Sequence, residues 1–365
     1  MYGINERLIN LVRNDYSEHL SEKPFKLDCS LGENPFGSYD GLDVSKEELL
    51  DFSSYPHSED LVVNEVVKKF SSIADIDTSM VAVSCGSMGV LMGINRMLLS
   101  VGKKIIGIAP QFSAIIDDFN TYGAEYIPVY MKKENNYIFD LKDFLCCVDN
   151  NPNAYIYIDN PNNPTGQTID LEQIEKIVKA AKNVNSLVCI DEAYGDYMEV
   201  KSSAVSMLNS YDNLVVVRSL SKGLGAAGIR IGVLIASKAI VDVFKKVNIP
   251  FSTTSIGNII GSRIINSGWE EKVKIIASEV KNKLRLSLKN IKMSCTNFNV
   301  PICMYYVDDE SIDLEALFID AGMRVVSCSG YYGTSINAVR INLNKDYEEM
   351  IRIMLEVDKK VGSEL

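Results

Sequence analysis

Seven short apolar runs rich in β-branched residues recur between residues 80 and 240, with helix-patterned segments between several of them. The runs are MVAVSC, KIIGIA, EYIPVY, NAYIYID, SLVCID, NLVVV and IGVLIA. Their near-continuous apolar character suits strands covered on both faces, because an open face would place a polar residue at every second position. DLEQIEKIVKAAKNV, one of the intervening segments, sets Leu171, Ile174, Ile177 and Val178 on one helical face. Strand alternating with helix predicts a three-layer α/β domain built on a mostly parallel sheet.

After Pro250 the pattern changes. GWEEKVKIIASEVKNKLRLSLKNI reads as a long amphipathic helix, VPICMYYV as a strand and DLEALFIDAG as a helix. MRVVS and AVRINL are two further strand candidates, and YEEMIRIMLEVDKKV a closing helix. This is a smaller α+β domain. The expected division is an N-terminal segment over 1–45 that packs with the small domain, a large domain over 46–248, and the small domain over 249–365. Such a division suits 365 residues, more than one small core holds.

A formal charge of −11 argues against nucleic acid or an anionic membrane as the main partner. It leaves room for a small anion in a locally basic pocket. His19 and His57 are the two histidines and have no metal-ligand spacing, which disfavours a zinc site or a Ser-His-Asp triad. The eight cysteines form no C-x-x-C pair, and several sit inside apolar runs, as reduced core thiols do in a reducing compartment. MYGINERLINLVRNDYSEHL reads as a helix without the apolar stretch of a signal peptide. No apolar run reaches the roughly 20 residues that span a bilayer. A cytoplasmic protein is expected.

In open α/β sheets, ligands bind beyond the carboxyl ends of the strands, so the residues following each run matter most. MVAVSC is followed by GSMG, where Gly86, an expected N-cap at Ser87, and the free N–H groups of a helix start suit a phosphate. NAYIYI is followed by DNPNNPTGQ, a rigid loop offering the Asn163 amide. SLVCI ends on Asp191, a carboxylate leaving the sheet that would need a cationic partner to stay charged. NLVVV is followed by RSLSKGLGAAGIRIG, in which Lys222 lies between the hydroxyls of Ser219 and Ser221 and the fixed charge of Arg230. A partly dry lysine loses proton affinity and becomes a nucleophile toward carbonyls. One ligand serves these four sites if it carries a phosphate for the helix start and Arg230, an aldehyde for Lys222, and a basic ring nitrogen for Asp191. Pyridoxal 5'-phosphate has all three.

With those residues in place, the chain resembles the fold-type I pyridoxal-phosphate enzymes, and among them the class I/II aminotransferases of the histidinol-phosphate aminotransferase type. The shared pieces are GENPFG (32–37), YP (55–56), GSMG (86–89), PQF (110–112), NNPTG (162–166), DEAY (191–194), SLSKGLGAAGIRIG (219–232) and VRINL (339–343). The resemblance implies a Schiff-base lysine at Lys222 and a partner for the protonated pyridine nitrogen at Asp191. It implies hydrogen bonds from Tyr194 and Asn163 to the ring's phenolic oxygen, and Phe112 stacked on the ring. Gly86, Ser87, Met88, Ser219, Ser221 and Arg230 would hold the phosphate. Tyr55 would reach the phosphate of a neighbouring subunit, which implies a homodimer. Arg340 would clamp the substrate α-carboxylate, while Asn34 in GENPFG and Tyr331 in SGYYG would border the side-chain pocket.

The implied activity is transfer of an amino group between an L-amino acid, or an amino-alcohol phosphate, and a 2-oxo acid. Two departures turn the reading away from histidinol phosphate. Met88 stands where an acidic residue is common in those enzymes, and Arg324 lies two residues short of their second arginine. Tyr331 and Tyr332 suit a less anionic side chain. The same framework also serves lyases, decarboxylases and cyclising enzymes such as capreomycidine synthase, and the cofactor residues do not separate them. A ligand sensor built on this fold is a third possibility, disfavoured because no basic DNA-binding segment accompanies it.

Overall fold

In the computed structural model, which describes residues 2–11, 25–50 and 52–364, each of the seven runs forms a strand. They are β1 (Val81–Cys85), β2 (Lys104–Ala109), β3 (Glu125–Tyr130), β4 (Tyr155–Asp159), β5 (Leu187–Glu192), β6 (Leu214–Ser219) and β7 (Ile231–Ala236). One sheet contains them all, in the order β1-β7-β6-β5-β4-β2-β3. Only β7 is reversed, pairing antiparallel with both β6 and β1. The connection from β6 to β7 holds a short 3-10 turn and no crossover helix, so the chain can return only in the opposite direction.

Alternate residues of each strand feed opposite faces. Ile156, Ile158, Val188 and Ile190 pack with the helices Glu59–Phe70, Leu141–Asp149 and Leu171–Asn183. Tyr155, Tyr157, Cys189 and Val217 pack with Gly86–Leu98, Ser113–Thr121 and Lys238–Val247. The mostly parallel, three-layer expectation holds. Edge strand β3 is only partly buried, and it carries Pro128, whose missing N–H costs least at an edge.

The small domain has an antiparallel sheet of β8 (Lys292–Met293), β9 (Ile302–Tyr306), β10 (Val326–Ser327) and β11 (Ala338–Asn342), ordered β10-β11-β9-β8. MRVVS, expected as one strand, is split. Met323–Arg324 pairs in parallel with Leu27–Asp28, the buried Val325 is unpaired, and Val326–Ser327 turns into the antiparallel sheet. Residues 25–30 are thereby tied to the small domain, with Asn342 N–H donating to Cys29 O as well. Helices Glu271–Ser287, Leu314–Asp320 and Tyr347–Glu364 cover this sheet.

The two cores interpenetrate. Tyr194 and Tyr197 of the large domain pack among small-domain residues, while Met304, Tyr306 and Tyr331 pack in the large-domain core. The cleft between the domains is set by apolar contact rather than by a linker.

Of the expected N-terminal helix, Glu6–Ile9 is helical. Its continuation over 12–20, with His19, lies outside the described residues. Among the described residues no helix is long and apolar enough to cross a membrane.

Candidate active site

The carboxyl ends of β1, β4, β5 and β6 and the beginning of the reversed β7 meet along one edge of the sheet. There they border a cavity of about 250 Å³ lined by Ser87, Met88, Phe112, Asn163, Asp191, Tyr194, Ser219, Ser221, Lys222, Arg230 and Arg340. Residues from six separate sequence segments thus face one space.

The phosphate end of this cavity follows from a turn at Gly86, whose φ of +69° swings the chain from β1 directly into the helix Gly86–Leu98. A residue with a side chain would be strained there. The N-cap is Cys85 rather than the expected Ser87, and no side chain caps the helix start. A Cβ on Gly86 would lie 2.6 Å from Arg230 Nη2, so the guanidinium rests directly against the turn. Arg230 Nη1 donates to Ala227 O at 2.9 Å, and Ser221 N–H donates to Ser219 Oγ at 3.2 Å. Uncapped helix N–H groups, three hydroxyls and one guanidinium form a donor set suited to a phosphate.

Asp191 is 4% exposed and accepts from Tyr157 Oη at 2.8 Å and Ala193 N at 3.0 Å. Burial pushes its carboxyl up to about 7, with the nearby Asp159 acting in the same direction and the Tyr157 bond opposing. Its bonds come from neutral donors, so a ligand cation is what would hold it ionised.

Lys222 sits in the loop after β6, half-buried, with Nζ 5.4 Å from the centre of the Tyr194 ring. Over it passes the strap formed by GENPFG. A Cβ on Gly32 would come 1.9 Å from Tyr194 Oη and 3.5 Å from Lys222 Nζ, so a side chain here would displace the Tyr194 hydroxyl and touch the lysine. The strap is fastened at three points: Arg340 to Ser30 O, Asn342 Nδ2 to Glu33 O at 3.1 Å, and Asn34 Nδ2 to Gly223 O at 2.8 Å. Burial raises the Tyr194 phenol above its ordinary range, and the charge of Arg340 opposes that rise.

Arg340, on β11, is 3% exposed. Besides Ser30 O, it donates to Asn163 Oδ1 at 3.1 Å and to Tyr331 Oη at 3.4 Å. It is a buried guanidinium facing the cavity, the reverse of a solvated edge-strand charge.

Three expected residues stand elsewhere. Gly86 shapes the turn behind the cavity rather than lining it. Asn34 is buried and is used in holding the strap, also accepting from Phe36 N at 2.9 Å. Tyr331 stands behind Arg340 instead of forming a wall. Tyr55, expected at a neighbouring subunit's phosphate, is 71% exposed on this chain's surface and stacked on Phe251 with ring centres 4.7 Å apart. Two other expectations also move: Tyr332 is exposed against Tyr126, and Arg324 lies beside Asp28 at 3.5 Å.

Sequence reasoning missed Asp159, Tyr157 and the closeness of Gly32 to Lys222. Asp159 was visible as the last residue of a strand, the same position that drew attention to Asp191. Tyr157 faces inward on a strand where every residue is buried, so periodicity carried no signal for it.

The shifted carboxyls predict a pH effect. A folded chain that holds the Asp191 proton up to about pH 7, while the unfolded chain releases it near 3.8, binds more protons than the unfolded chain in between. The stability contributed by this group therefore falls as pH rises through that interval. Asp159, pushed up to about 6 mainly by burial, acts in the same sense. In cofactor-free protein, the unfolding free energy of wild type should fall relative to that of Asp191→Asn from about pH 4.5 to about pH 7.5. Parallel curves across that range would refute the assignment.

The site fits pyridoxal phosphate on the chemistry of its donors. It has a phosphate cradle at Gly86 and Arg230, an amine at Lys222, a carboxyl needing a cation at Asp191, and an aromatic face at Phe112.

Known proteins point the same way. The family described as aminotransferase class I and II matches residues 26–357. The histidinol-phosphate aminotransferase of Thermoanaerobacter pseudethanolicus is 26% identical over 300 residues, covering 79% of this chain and 83% of the relative. That of Methanococcus aeolicus is 27% identical over 337 residues, covering 90% and 88%. Among solved structures, a Sinorhizobium meliloti histidinol-phosphate aminotransferase in complex with pyridoxal 5'-phosphate superposes with a TM-score of 0.79 at 17% identity, covering 99% of each chain. A Thermus thermophilus aspartate aminotransferase with maleate gives 0.81 at 15% identity, covering 98% of this chain and all of that one. At such identities the structural likeness speaks for the fold, while the family match spans nearly the whole chain. The chain belongs to the class I and II aminotransferases, pyridoxal-phosphate-dependent transferases of fold type I.

Proposed function

We propose that this aminotransferase acts on an L-amino acid whose side chain carries no phosphate or second carboxylate, passing the amino group to a 2-oxo acid. The observation that carries the reading is the charge inventory of the cavity. Its basic residues are Lys222, Arg230 at the phosphate cradle, and Arg340. Once Arg340 takes the α-carboxylate, no cation among the described lining residues is left for a second anion, and Glu33 at the rim would repel one. Arg324 is turned away toward Asp28 and the Phe25 ring. The substrate named for the histidinol-phosphate aminotransferases is therefore not carried over.

Bound pyridoxal phosphate supplies an aldehyde for the amine and a ring that accepts electrons from the α-carbon. The chain's own residues do the rest. Arg340 would hold the carboxylate through paired N–H donors and fix which bond at the α-carbon faces Lys222. Lys222 Nζ would take the α-proton and return it one position away, sheltered by the strap over Gly32. Asp191 would keep the ring nitrogen protonated, and Asn163 and Tyr194 would donate to the ring's phenolic oxygen.

The reading includes a homodimer. Phe52 and Tyr55 are 76% and 71% exposed, and Ile249 and Phe251 add to an apolar face that a second copy would cover. It also includes a reducing, cytoplasmic setting, in keeping with eight free cysteines.

The test is to mix protein carrying pyridoxal phosphate with single L-amino acids and no 2-oxo acid, then identify the products. Neutral or basic amino acids should yield pyridoxamine phosphate and one 2-oxo acid per site, faster than histidinol phosphate does. The reverse order of rates would sink the substrate assignment. An altered amino acid with the cofactor returned unchanged would favour a lyase, decarboxylase or cyclase instead.

A further inference from the structure

A second buried carboxylate stands beside the one the cofactor would use. Asp159 and Asp191 are register partners at the ends of adjacent strands β4 and β5, each 4% exposed. Asp159 lines the cavity, and among the described residues no basic side chain pairs with it. Its bonds come from four neutral donors on two loops. Oδ1 accepts from Gln111 Nε2 at 3.1 Å and Asn162 Nδ2 at 3.0 Å; Oδ2 accepts from Asn163 N at 2.9 Å and Phe112 N at 3.4 Å. Gln111 is itself fully buried, donating to Tyr157 O at 3.1 Å and accepting from Tyr126 Oη at 3.0 Å.

Both loops carry a cavity-lining residue that would meet the ring: Phe112 on one, Asn163 on the other. A buried carboxylate is a costly way to join two loops, since an asparagine or a water would meet some of the same donors without a charge. The charge gains a use only if a cation comes close. The cation on offer is the protonated ring nitrogen that Asp191 would hold, and a second negative charge nearby would raise the proton affinity of that nitrogen.

We propose that Asp159 is a positioning residue for the cofactor, drawing the loops of Phe112 and Asn163 to one point and adding a second carboxylate beside Asp191. The proposal rests on the pyridoxal-phosphate reading of the site. Asp159→Asn removes the charge and turns an NH₂ toward two of the donors; Asp159→Glu keeps the charge on a longer stem.

The experiment measures the pyridoxal-phosphate dissociation constant of cofactor-free wild type, Asp159→Asn and Asp159→Glu, then the single-turnover rate with one neutral L-amino acid. Wild type that takes up no pyridoxal phosphate refutes the underlying reading, independently of the variants. Given uptake by wild type, Asp159→Asn should bind about 10-fold or more weakly. Its single-turnover rate at saturating amino acid should fall by a similar factor, with the half-saturating concentration little changed because Arg340 is untouched. Asp159→Glu should recover part of both. Affinity and rate within about twofold of wild type in a folded Asp159→Asn would overturn the proposal, as would Asp159→Glu no better than Asp159→Asn. Should Asp159→Asn not fold, Asn162→Ala decides. A roughly threefold or greater loss of affinity supports the positioning role, and unchanged affinity assigns Asp159 to stability alone.

Discussion

Lys222→Ala is expected to fold like wild type, to hold pyridoxal phosphate without a covalent bond, and to lose turnover by about 10⁴-fold or more. The size of the loss follows from two roles in one atom. Nζ would be the amine that meets the cofactor's aldehyde, and the base that takes and returns the substrate's α-proton. Tyr194 is near, but its buried phenol is pushed above its ordinary range, so it is a poor substitute base. The fold should survive because the packing of this loop is carried by Leu220 and Leu224, which are 3% and 2% exposed, while Lys222 is only half-buried. Borohydride reduction followed by peptide mass analysis reads the covalent bond, and urea unfolding reads the fold. A cofactor tag on any other lysine, or substantial turnover in the variant, would end this account of the site.

Arg218→Met should lower the unfolding free energy by about 3–5 kcal/mol, the cost of stranding buried carboxylates. Arg218 is 6% exposed and bonds Glu192 Oε2 at 2.9 Å and Asp196 Oδ1 at 2.6 Å. Glu192 is fully buried, and its remaining bonds come from Ser203 Oγ and Ala204 N, which are neutral. Asp196 would retain Lys69 at 2.9 Å. Methionine fills much of the volume against the Phe70 ring but offers neither acid a proton. The network also bears on the site, because Glu192 and Arg218 are register partners one residue from Asp191 and Ser219. Weaker cofactor binding should accompany the lost stability. Denaturant midpoints of cofactor-free wild type and variant, with the slopes compared, test this. A change below about 1 kcal/mol would show that the carboxyls simply take up protons and the ion pairs contribute little.

Much of the fold was legible because its signal is local. Each strand of the large sheet appears as an apolar run bounded by turn residues, and Asp170 before Leu171–Asn183 is a side-chain cap, accepting from Gln173 N at 2.9 Å. The reversal of β7 and the split of MRVVS were not legible, since neither direction nor choice of partner strand is written in a strand's own residues. For the site, the strand-end rule led to Lys222, Asp191, Asn163 and Arg230. It placed Ser87 at a cap that Cys85 occupies, because the left-handed turn at Gly86 brings the helix start forward. Asn34 and Tyr331 were expected at the substrate, yet one fastens the strap and the other stands behind Arg340.

The chain's residues by themselves determined the class of fold and much of the chemistry on offer: which groups can be nucleophile, acid and cradle, the clamp at Arg340 being implied by the family resemblance. Those are properties of residue type and of spacing along a strand or helix. Tertiary structure alone decided that Asp159 stands beside Asp191, that Gly32 lies against Lys222, and that Arg324 faces away from the cavity. Such facts depend on contacts between residues far apart in sequence, set by the order of strands in the sheet and by two domain cores that share side chains.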